Sequence, residues 1–421
     1  MEPIINEKKE LNFLEKDIIE AVNKYPTPFH IYNGDKIKEN GELLMNSFKK
    51  YFPNYRNYFA VKATPNPSIL KLLKEIGMGV DCSSLAELIL SEKVGFKNEE
   101  IMFTSNNTKS EEYKKAYELG SIINLDDYTQ IEYLYESLGG VMPELISFRY
   151  NPGPLKKGND IIGNPKDAKF GLTSDDLEKA YNKAKELGVK RFGLHCMVAS
   201  NELDLDYFEE TARLLFSTIS KLTKSCGITF EMVNLGGGIG IPYRPNQIAV
   251  DYLKLTEKIS NAYKELIVEE EGLPKLNVVT ECGRVITGPY GVLVTKAIHS
   301  KSTYKEYIGV DACMVNLMRP GMYGAYHHIT VLNPTDPNST ETYDVVGSLC
   351  ENNDKFCIDR SLPKIHRGDT LVIHDTGAHG HSMGFNYNGK LRSAEYLLLN
   401  NSINCIRRAE TFDDLFSTLN F

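Results

Sequence analysis

Residues 58–106, YFAVKATPNPSILKLLKEIGMGVDCSSLAELILSEKVGFKNEEIMFTSN, alternate short apolar runs with amphipathic stretches. The apolar runs at 58–64, 79–84 and 101–106 have the length and composition of buried strands. Between them, KLLKEIG and SLAELILSEKVG have apolar residues at helical spacing, and each ends at a glycine, which favours a left-handed helix C-cap. This stretch therefore predicts consecutive β-α units of a parallel sheet.

The same alternation continues along the chain as far as Arg284. Further strands are predicted at 122–127, 145–152, 191–200, 232–238 and 278–284. Eight strands over roughly 230 residues favour a (β/α)8 TIM barrel, with a doubly wound open sheet as the structural alternative. We expect the barrel to span residues 28–288. The segment TPFHIYNG (27–34) also has a strand pattern, and it either joins a second sheet or leads into the barrel.

Beyond residue 288 the pattern changes to alternating apolar and polar runs, such as GVLVTKAIHS, ETYDVVGSLC and DTLVIHDTG, separated by Pro, Asn and Gly. Strands without intervening helices are typical of antiparallel sheets. The sequence thus predicts a second, antiparallel β-sandwich or β-barrel domain at 289–421, together with part of 1–27.

Composition excludes several classes of protein. The 421 residues contain 48 Lys plus Arg and 56 Asp plus Glu, a net charge of −8 without a long basic tract. Neither a nucleic acid nor an anionic membrane is favoured as a partner. Eight scattered cysteines without a CxxC motif indicate a reduced environment. With no apolar signal segment and no membrane span, the sequence predicts a cytoplasmic protein.

Three features at predicted strand ends suggest chemistry, because barrel enzymes place their active sites there. Lys62 lies within the first apolar run, and it is either a snorkelling side chain or a functional amine. The glycines at 236–238 offer backbone N–H groups to a phosphate, or they simply form a tight turn. Glu281 and Arg284 are either functional or a salt bridge.

Taken together, the motifs resemble the fold type III decarboxylases that depend on pyridoxal phosphate (PLP), and among them the diaminopimelate decarboxylases. The matching segments are FAVKAT (59–64), VDCSSLAEL (80–88), KFG (169–171), GLHCMVAS (193–200), NLGGGIG (234–240), ECGR (281–284), MRPGMYGAYH (318–327), SLCENND (348–354) and GAHGHSMGFNYNGKLRSAEYLL (377–398). The resemblance covers roughly residues 25–400 and implies an alanine racemase-like fold.

The resemblance also implies a cofactor site. Lys62 would be linked covalently to PLP and would move protons after substrate binds. Glu281 would face the pyridine nitrogen. Backbone groups around Gly238 and in the turn after Glu281 would bind the phosphate. The implied cofactor contacts are Lys62, Asp81, His195, Ser200, Gly238, Glu281, Cys282, Gly283, Arg284 and Tyr387.

A second implied group of residues binds substrate. By resemblance, Arg284, Arg319 and Tyr323 recognise a distal carboxylate, which suits planar guanidinium groups. Glu351 would bind the distal ammonium, and Tyr387 would contact both cofactor and substrate. Cys350 matches the family's proton donor, although a free cysteine is also often a structural thiol.

These roles predict decarboxylation of meso-2,6-diaminopimelate to L-lysine and CO2, the last step of lysine biosynthesis. A decarboxylase of a D-basic amino acid such as D-ornithine or D-lysine is the alternative. A racemase is disfavoured by the CEN motif, and a non-catalytic binding protein by the intact Lys62, Glu281 and Cys350. The resemblance further implies a homodimer with shared active sites, in which Lys169 and Asp354 pair across the subunit boundary.

The chain also departs from the family pattern near the expected cofactor. Met197 replaces a histidine that stacks on the PLP ring, Ala199 replaces a glycine, Cys282 replaces a proline, and His379 stands where tyrosine is common. These differences bear on the substrate more than on the fold. A cluster of histidines at 374, 379 and 381 lacks the spacing of a zinc signature, so no metal is expected.

Overall fold

The computed structural model describes residues 8–158, 163–270, 273 and 275–421. Within it the chain forms two compact units. One, here the barrel unit, consists of the described residues of 40–241 and 249–283; the other, here the β unit, consists of those up to 39 and of 242–248 and 284–421.

The strands, numbered in chain order, are β1 Phe29–Asn33, β2 Arg56–Ala60, β3 Gly79–Cys82, β4 Ile101–Thr104, β5 Ile122–Leu125, β6 Leu145–Tyr150, β7 Arg191–Cys196, β8 Phe230–Asn234, β9 Asn277–Thr280, β10 Gly291–Ser302, β11 Glu306–Val310, β12 Ile329–Leu332, β13 Thr340–Val346, β14 Lys355–Pro363, β15 Thr370–Ile373, β16 Ala394–Leu399 and β17 Ser402–Arg407. The α-helices are α1 Glu15–Lys24, α2 Gly34–Lys49, α3 Pro67–Glu75, α4 Leu85–Val94, α5 Ser110–Glu118, α6 Thr129–Ser137, α7 Ser174–Glu186, α8 Leu205–Cys226, α9 Tyr252–Tyr263, α10 Arg284–Thr287, α11 Arg319–Tyr323 and α12 Phe412–Phe416.

Strands β2–β9 close into a barrel in which every neighbouring pair is parallel, with β9 pairing β2. The predicted TIM barrel is therefore confirmed, and the open-sheet alternative is wrong. Helices α3–α9 connect consecutive strands, as the sequence pattern predicts. Gly77 and Gly95, which are expected to end helices, and Gly120 and Gly188, which follow α5 and α7, all have positive φ, which a residue without a Cβ adopts at little cost.

Six buried side chains from alternate strand positions fill one layer of the barrel interior, which makes it a packed core rather than a pore. They are Tyr58, Met102, Ile122, Leu145, Met232 and Val279. Each strand ends two to four residues before its predicted end, and β2 and β8 also start two residues, and β9 one residue, earlier than predicted. The polar residues after the strands therefore lie on loops at the carboxyl edge of the barrel.

The β unit contains a nine-stranded sheet with the order β14-β13-β11-β10-β1-β16-β17, to which β15 adds beside β10 and β12 beside β15. The sheet is mixed, because β1 pairs with β16 in parallel and β11 pairs with β13 in parallel. The predicted second β domain is thus confirmed, but its sheet is mixed, since two of its strand pairs are parallel and the others antiparallel. Strands joined by short turns must run antiparallel, but β1 is separated from its neighbours by the whole barrel and is free of that constraint.

The segment at 27–34 joins the second sheet, since β1 lies between β10 and β16. The observed units accordingly differ from the expected boundary at residue 28. All eight cysteines lie within the described residues as free thiols, and only Cys350 and Cys405 are exposed. No helix among the described residues is both long and apolar enough to cross a membrane.

Candidate active site

Glu281 is the centre of a buried polar cluster at the carboxyl edge of the barrel. It follows β9 directly and is 7% exposed. Asn234 at the end of β8 donates to its Oε1 at 2.7 Å, and the hydroxyl of Thr104 at the end of β4 donates to the same oxygen at 3.4 Å. On β7, the Nε2 atom of His195 lies 3.0 Å from the other carboxylate oxygen, Oε2. Three strands thus hold one carboxylate in place.

This environment keeps Glu281 ionised. Burial by itself would raise the pKa of Glu281, but the contacts with His195, Lys62 and Asn234 outweigh it and lower the pKa to about 2. The neighbouring Asp81 on β3 behaves in the opposite way. Burial and the charge of Glu281 raise the pKa of Asp81 well above its ordinary value, and Lys62 only partly opposes them. The site therefore combines a carboxylate with a carboxyl group that takes up a proton readily.

Lys62 lies in a 3-10 turn, Val61–Ala63, immediately after β2. The expectation that it lies inside the first strand is wrong, because β2 ends at Ala60. Its side chain is exposed in the isolated chain, and its charge acts on the pKa values of both Asp81 and Glu281. An amine at the carboxyl edge of a barrel, within electrostatic reach of two acids, is placed to react and to exchange protons.

The turn after Glu281 packs closely against the turn that contains Lys62. A Cβ on Gly283 would lie only 3.0 Å from the Cβ of Ala63, so glycine permits this approach. Within the same turn, Asn57 accepts from the backbone N–H of Cys282 at 2.8 Å and donates to its carbonyl at 3.1 Å. Burial raises the pKa of the Cys282 thiol to about 12, so this thiol stays protonated.

The glycine-rich loop after β8 passes between two other backbone segments. A Cβ on Gly236 would lie 2.2 Å from the carbonyl oxygen of Cys196, and one on Gly238 would lie 2.6 Å from that of Ala199. Both glycines have positive φ, 72° and 91°. The N–H of Gly236 donates to Oδ1 of Asn234 at 2.9 Å. Asn234 therefore ties the loop to Glu281, and the close approach brings the segment ending at Ser200 beside Gly238.

Met197, which replaces the expected ring-stacking histidine, contacts this loop directly. Its Sδ atom accepts from the N–H of Gly237 at 3.2 Å. Beside it a small pocket is lined by Met197, Arg149, Phe170 and neighbouring residues. Arg149, on β6, lies with its guanidinium 4.3 Å from the ring centre of Phe170 and 3.6 Å from Asp126. The thioether thus fixes the loop and also borders the open space.

The β unit contains the two arginines expected to recognise substrate. Arg284 donates to the hydroxyl of Tyr243 at 2.7 Å, and the Arg319 guanidinium lies 5.3 Å from the centre of the Tyr243 ring. His327 contacts the same ring edge-on and lies 3.4 Å from Nε of Arg319. Burial lowers the pKa of Arg319 below its ordinary value, and Arg284 adds to that effect. Tyr243 therefore separates two like charges.

The remaining expected substrate residues lie together on exposed loops of the β unit. The backbone N–H of Cys350 donates to Oδ1 of Asn388 at 2.7 Å, which joins the Cys350–Glu351 loop to the loop of Tyr387. A Cβ on Gly321 would lie 2.4 Å from the carbonyl oxygen of Asn353, so α11, which ends at Tyr323, packs on the same loop. Cys350, Glu351, Tyr323 and Tyr387 are all exposed in the single chain.

Asp354 stabilises this loop by accepting hydrogen bonds from nearby backbone N–H groups. Its carboxylate accepts from the backbone N–H groups of Met314 at 2.6 Å and Leu349 at 2.8 Å, and the residue is 3% exposed. The expected partner across a subunit boundary, Lys169, is an exposed residue of the barrel unit. These bonds give Asp354 a role inside its own chain that its sequence position does not suggest, while pairing with Lys169 stays a prediction.

Sequence reasoning missed several polar residues of the site. Thr104, Asn124, Arg149 and Asn234 each end or nearly end an apolar strand, at the edge where barrel chemistry is expected. A systematic search for polar residues at strand ends would have found them. Tyr243 lay in a loop that gave no such signal.

The histidines that resemble a metal cluster have other partners. His374 contacts the hydroxyl of Thr330 at 2.8 Å, His381 lies 2.9 Å from Arg392, and Asp375 pairs with Lys9. Among the described residues, no three His, Cys, Asp or Glu side chains are grouped as ligands for a metal ion.

The residues of the barrel unit fit pyridoxal phosphate. The cofactor needs an amine, an acid partner for its ring nitrogen and N–H groups for its phosphate. The barrel edge offers Lys62, the ionised Glu281 and the glycine loop. A buried oxygen, Oδ1 of Asp81, has no hydrogen-bond partner among the described residues, which is consistent with space left for a further group.

Comparisons with known proteins agree with a pyridoxal phosphate site formed by these residues. The family described as "Pyridoxal-dependent decarboxylase, pyridoxal binding domain" matches residues 40–288. The chain is 42% identical to Protein TabA of Pseudomonas amygdali pv. tabaci, covering 94% of this chain and 91% of that protein. It is 34% identical to a diaminopimelate decarboxylase of Methanothermobacter thermautotrophicus, covering 98% and 96%. The crystal structure of diaminopimelate decarboxylase from M. jannaschii in co-complex with L-lysine superimposes with a TM-score of 0.88 at 31% identity, covering 96% of this chain and 94% of that chain.

Proposed function

The chain belongs to the fold type III pyridoxal-dependent decarboxylases, with pyridoxal phosphate as cofactor, and on that premise we propose that it converts meso-2,6-diaminopimelate to L-lysine and CO2. Its relatives include diaminopimelate decarboxylases, whereas the name of the 42% identical TabA indicates no substrate. The choice of substrate therefore depends on the chain's own residues.

When bound, PLP supplies an electron sink for the electron pair that remains at the substrate's α-carbon after CO2 leaves. Lys62 would hold the cofactor through its ε-amine and return a proton when that amine is released. Glu281, ionised because of its hydrogen-bond donors, would keep a proton at the ring nitrogen. Backbone groups of Gly238, Ser200 and the Cys282–Gly283 turn would bind the phosphate.

Arg319 is the observation that favours diaminopimelate. The residue is 5% exposed, and the neighbours of its guanidinium among the described residues are a tyrosine ring, a histidine and another arginine, with no carboxylate in ion-pair contact. A buried cation is costly unless an anion is paired with it. A substrate with a second carboxylate supplies that anion, and with Arg284 and Tyr323 nearby the group would be held by several donors.

The exposed loop residues support a site completed by a second copy of the chain. Tyr323 and Tyr387 are about half exposed, at 51% and 50%, although large aromatic side chains are usually covered in a folded protein. Within the proposal, Cys350 donates the proton that replaces CO2 at the α-carbon and Glu351 binds the distal ammonium, each acting in the partner's active site. A homodimer is then the smallest active form.

The direct test is product analysis. The PLP-loaded protein is incubated with meso-diaminopimelate, and CO2 and L-lysine are measured together with parallel reactions on D-lysine and D-ornithine. We expect stoichiometric L-lysine and CO2 from diaminopimelate. Efficient turnover of D-ornithine or D-lysine with none of diaminopimelate would assign the chain to the alternative substrate class.

A further inference from the structure

One buried asparagine of the barrel forms hydrogen bonds to the residues on both sides of Glu281. Asn57 lies on β2 opposite Thr280, the last residue of β9, and is 0% exposed. Its Oδ1 atom accepts from the hydroxyl of Thr280 and from the backbone N–H of Cys282, each at 2.8 Å. Its Nδ2 atom donates to the carbonyl of Cys282 at 3.1 Å and to Sδ of Met78 at 3.5 Å. The amide thus uses its full capacity for hydrogen bonds.

The groups that Asn57 contacts fix the direction of these bonds. A backbone N–H can only donate and a carbonyl can only accept, so the amide oxygen must face the former and the amide nitrogen the latter. Thr280 then donates its hydroxyl proton to the amide oxygen, and its own oxygen accepts from the hydroxyl of Tyr55 at 2.6 Å. Tyr55, Thr280 and Cys282 are all buried with Asn57. A buried network in which each group has a partner holds one arrangement of the segment.

The backbone of Cys282 accounts for a polar residue at this place in the barrel wall. Burial of an amide side chain is costly unless its groups are hydrogen-bonded, so an apolar residue on β2 would by itself be the cheaper choice. The N–H and carbonyl of Cys282 lie beyond the end of β9, outside the strand ladder, and they need partners of their own. Proline, which Cys282 replaces in the family pattern, lacks the N–H and fixes φ through its ring. Asn57 supplies an acceptor that a proline would not need.

The backbone of Glu281 is held on each side as a result. Its own N–H donates to the carbonyl of Gly236 at 2.8 Å, and its two neighbours in the chain are both bound to Asn57. The turn that follows packs closely against the turn that contains Lys62. A displacement of about 1 Å in a group at an active site can lower a rate by about 100-fold. The position of the acid relative to Lys62 therefore depends on the bonds that Asn57 makes.

We propose that Asn57 is a positioning residue of the cofactor site, which holds Thr280 and Cys282 so that the carboxylate between them faces the pyridine ring. Its hydrogen bonds take the place of the restraint that a proline ring would give at position 282. The inference rests on the proposed function, because the cofactor-facing role of Glu281 is part of that proposal. It adds a residue from the opposite strand that sets where the acid lies.

Hydrogen exchange in the holoenzyme labelled with 15N-cysteine tests the contact itself. The Cys282 amide signal is assigned by its loss in Cys282→Ser, and the amide of Cys196, a buried residue of β7, is the reference for general unfolding. In Asn57→Leu we expect the Cys282 amide to exchange about tenfold faster or more, relative to Cys196, than in the wild type. Asn54→Leu, the same change at an exposed residue before β2, is the matched control and should leave this ratio unchanged.

The rate of PLP release from the holoenzyme tests the consequence for the site. It is measured from the visible absorbance that stays with the protein after desalting at successive times. We expect Asn57→Leu to release PLP about 10- to 100-fold faster than the wild type, as for other residues that orient a binding group. In Asn57→Leu/Cys282→Pro the rate should lie within about threefold of that in Cys282→Pro alone, because the N–H that required an acceptor is absent.

Two results would overturn the inference. One is a Cys282 amide that is no faster relative to Cys196 in Asn57→Leu than in the wild type. The other is a double variant that loses PLP, or fails to fold, as readily against Cys282→Pro as Asn57→Leu does against the wild type. This second comparison decides the matter even if Asn57→Leu does not fold. Neither measurement needs an amino-acid substrate, so a failure of diaminopimelate turnover would count against the proposed function alone.

Discussion

Removal of the Arg319 charge should change which substrate the enzyme prefers. Arg319 is 5% exposed, and its guanidinium has no carboxylate in ion-pair contact among the described residues. Diaminopimelate supplies one, whereas D-lysine, which lacks the second carboxylate, leaves the arginine unpaired in the complex. An unsatisfied buried donor costs about 1–3 kcal/mol. At 1.36 kcal/mol per tenfold, the wild type should favour diaminopimelate in kcat/KM by roughly 5- to 150-fold.

Arg319→Gln retains a donor but loses the cation. It also loses the contact with the Tyr243 ring, a loss that affects both substrates equally and therefore cancels in their ratio. We expect kcat/KM for diaminopimelate to fall by the same factor, with that for D-lysine little changed, so that the preference approaches unity. The assay measures CO2 release from each substrate at matched PLP saturation. Arg408→Gln, which breaks an exposed ion pair with Asp414, is the control.

Two results would refute this reasoning. Equal efficiency of the wild type on both compounds would mean that no part of the site recognises a second carboxylate, which favours the D-basic amino acids. A strong wild-type preference that survives in Arg319→Gln would mean that the carboxylate is bound elsewhere. A change in the ratio for Arg408→Gln would show that the assay responds to general destabilisation.

Three further predictions follow from the same contacts. Lys62→Ala should fold normally, as judged by circular dichroism, yet lose turnover and the visible absorbance of covalently held cofactor; a comparable rate of decarboxylation would remove Lys62 from the mechanism. Inactive Lys62→Ala and Cys350→Ala proteins should regain activity when mixed under conditions of proven subunit exchange, since one of the two hybrid sites then has both groups intact, and no recovery would mean that each chain builds its site alone. In the β unit, burial raises the pKa of Glu395, but His381 and Arg407 outweigh it and lower the pKa to about 2 from 4.5. The stabilisation this gives is complete above pH 4.5 and lost as the pH falls toward 2, so urea denaturation should show a steeper acid loss for the wild type than for Glu395→Gln.

The barrel was predictable because its signals are local. Each strand is an apolar run between turn residues, and helices α3–α8 are each followed within two residues by a glycine of positive φ, so the count of eight could be taken from the sequence directly. The arrangement of the second sheet could not, because the pairing of β1 with β10 and β16 joins residues more than 250 positions apart. No local pattern specifies which strands from opposite ends of a chain become neighbours, or in which direction they run.

The residues of the candidate site also differ in how far the sequence alone indicates them. Lys62, Glu281 and the glycine loop stand out because their residue types are unusual at strand ends. Asn124 and Asn234 do not, because an asparagine after a strand is common in turns and its significance depends on a partner from another strand. Asp354 shows the converse. Its carboxylate accepts from backbone groups of its own chain, which its sequence position does not indicate, and its contact between subunits stays a prediction.

At Met197 the chain departs from the family pattern, and the replacement changes which contacts this position makes within the barrel. A thioether does not titrate, and here its sulfur accepts from Gly237 and so stabilises the loop expected to bind phosphate. The second imidazole of the family pattern is therefore absent, and His195 is the only histidine of the barrel. Its Nε2 atom lies 3.0 Å from Oε2 of Glu281, the acid proposed to face the cofactor, so the loss of the second histidine leaves a single imidazole to contact that acid.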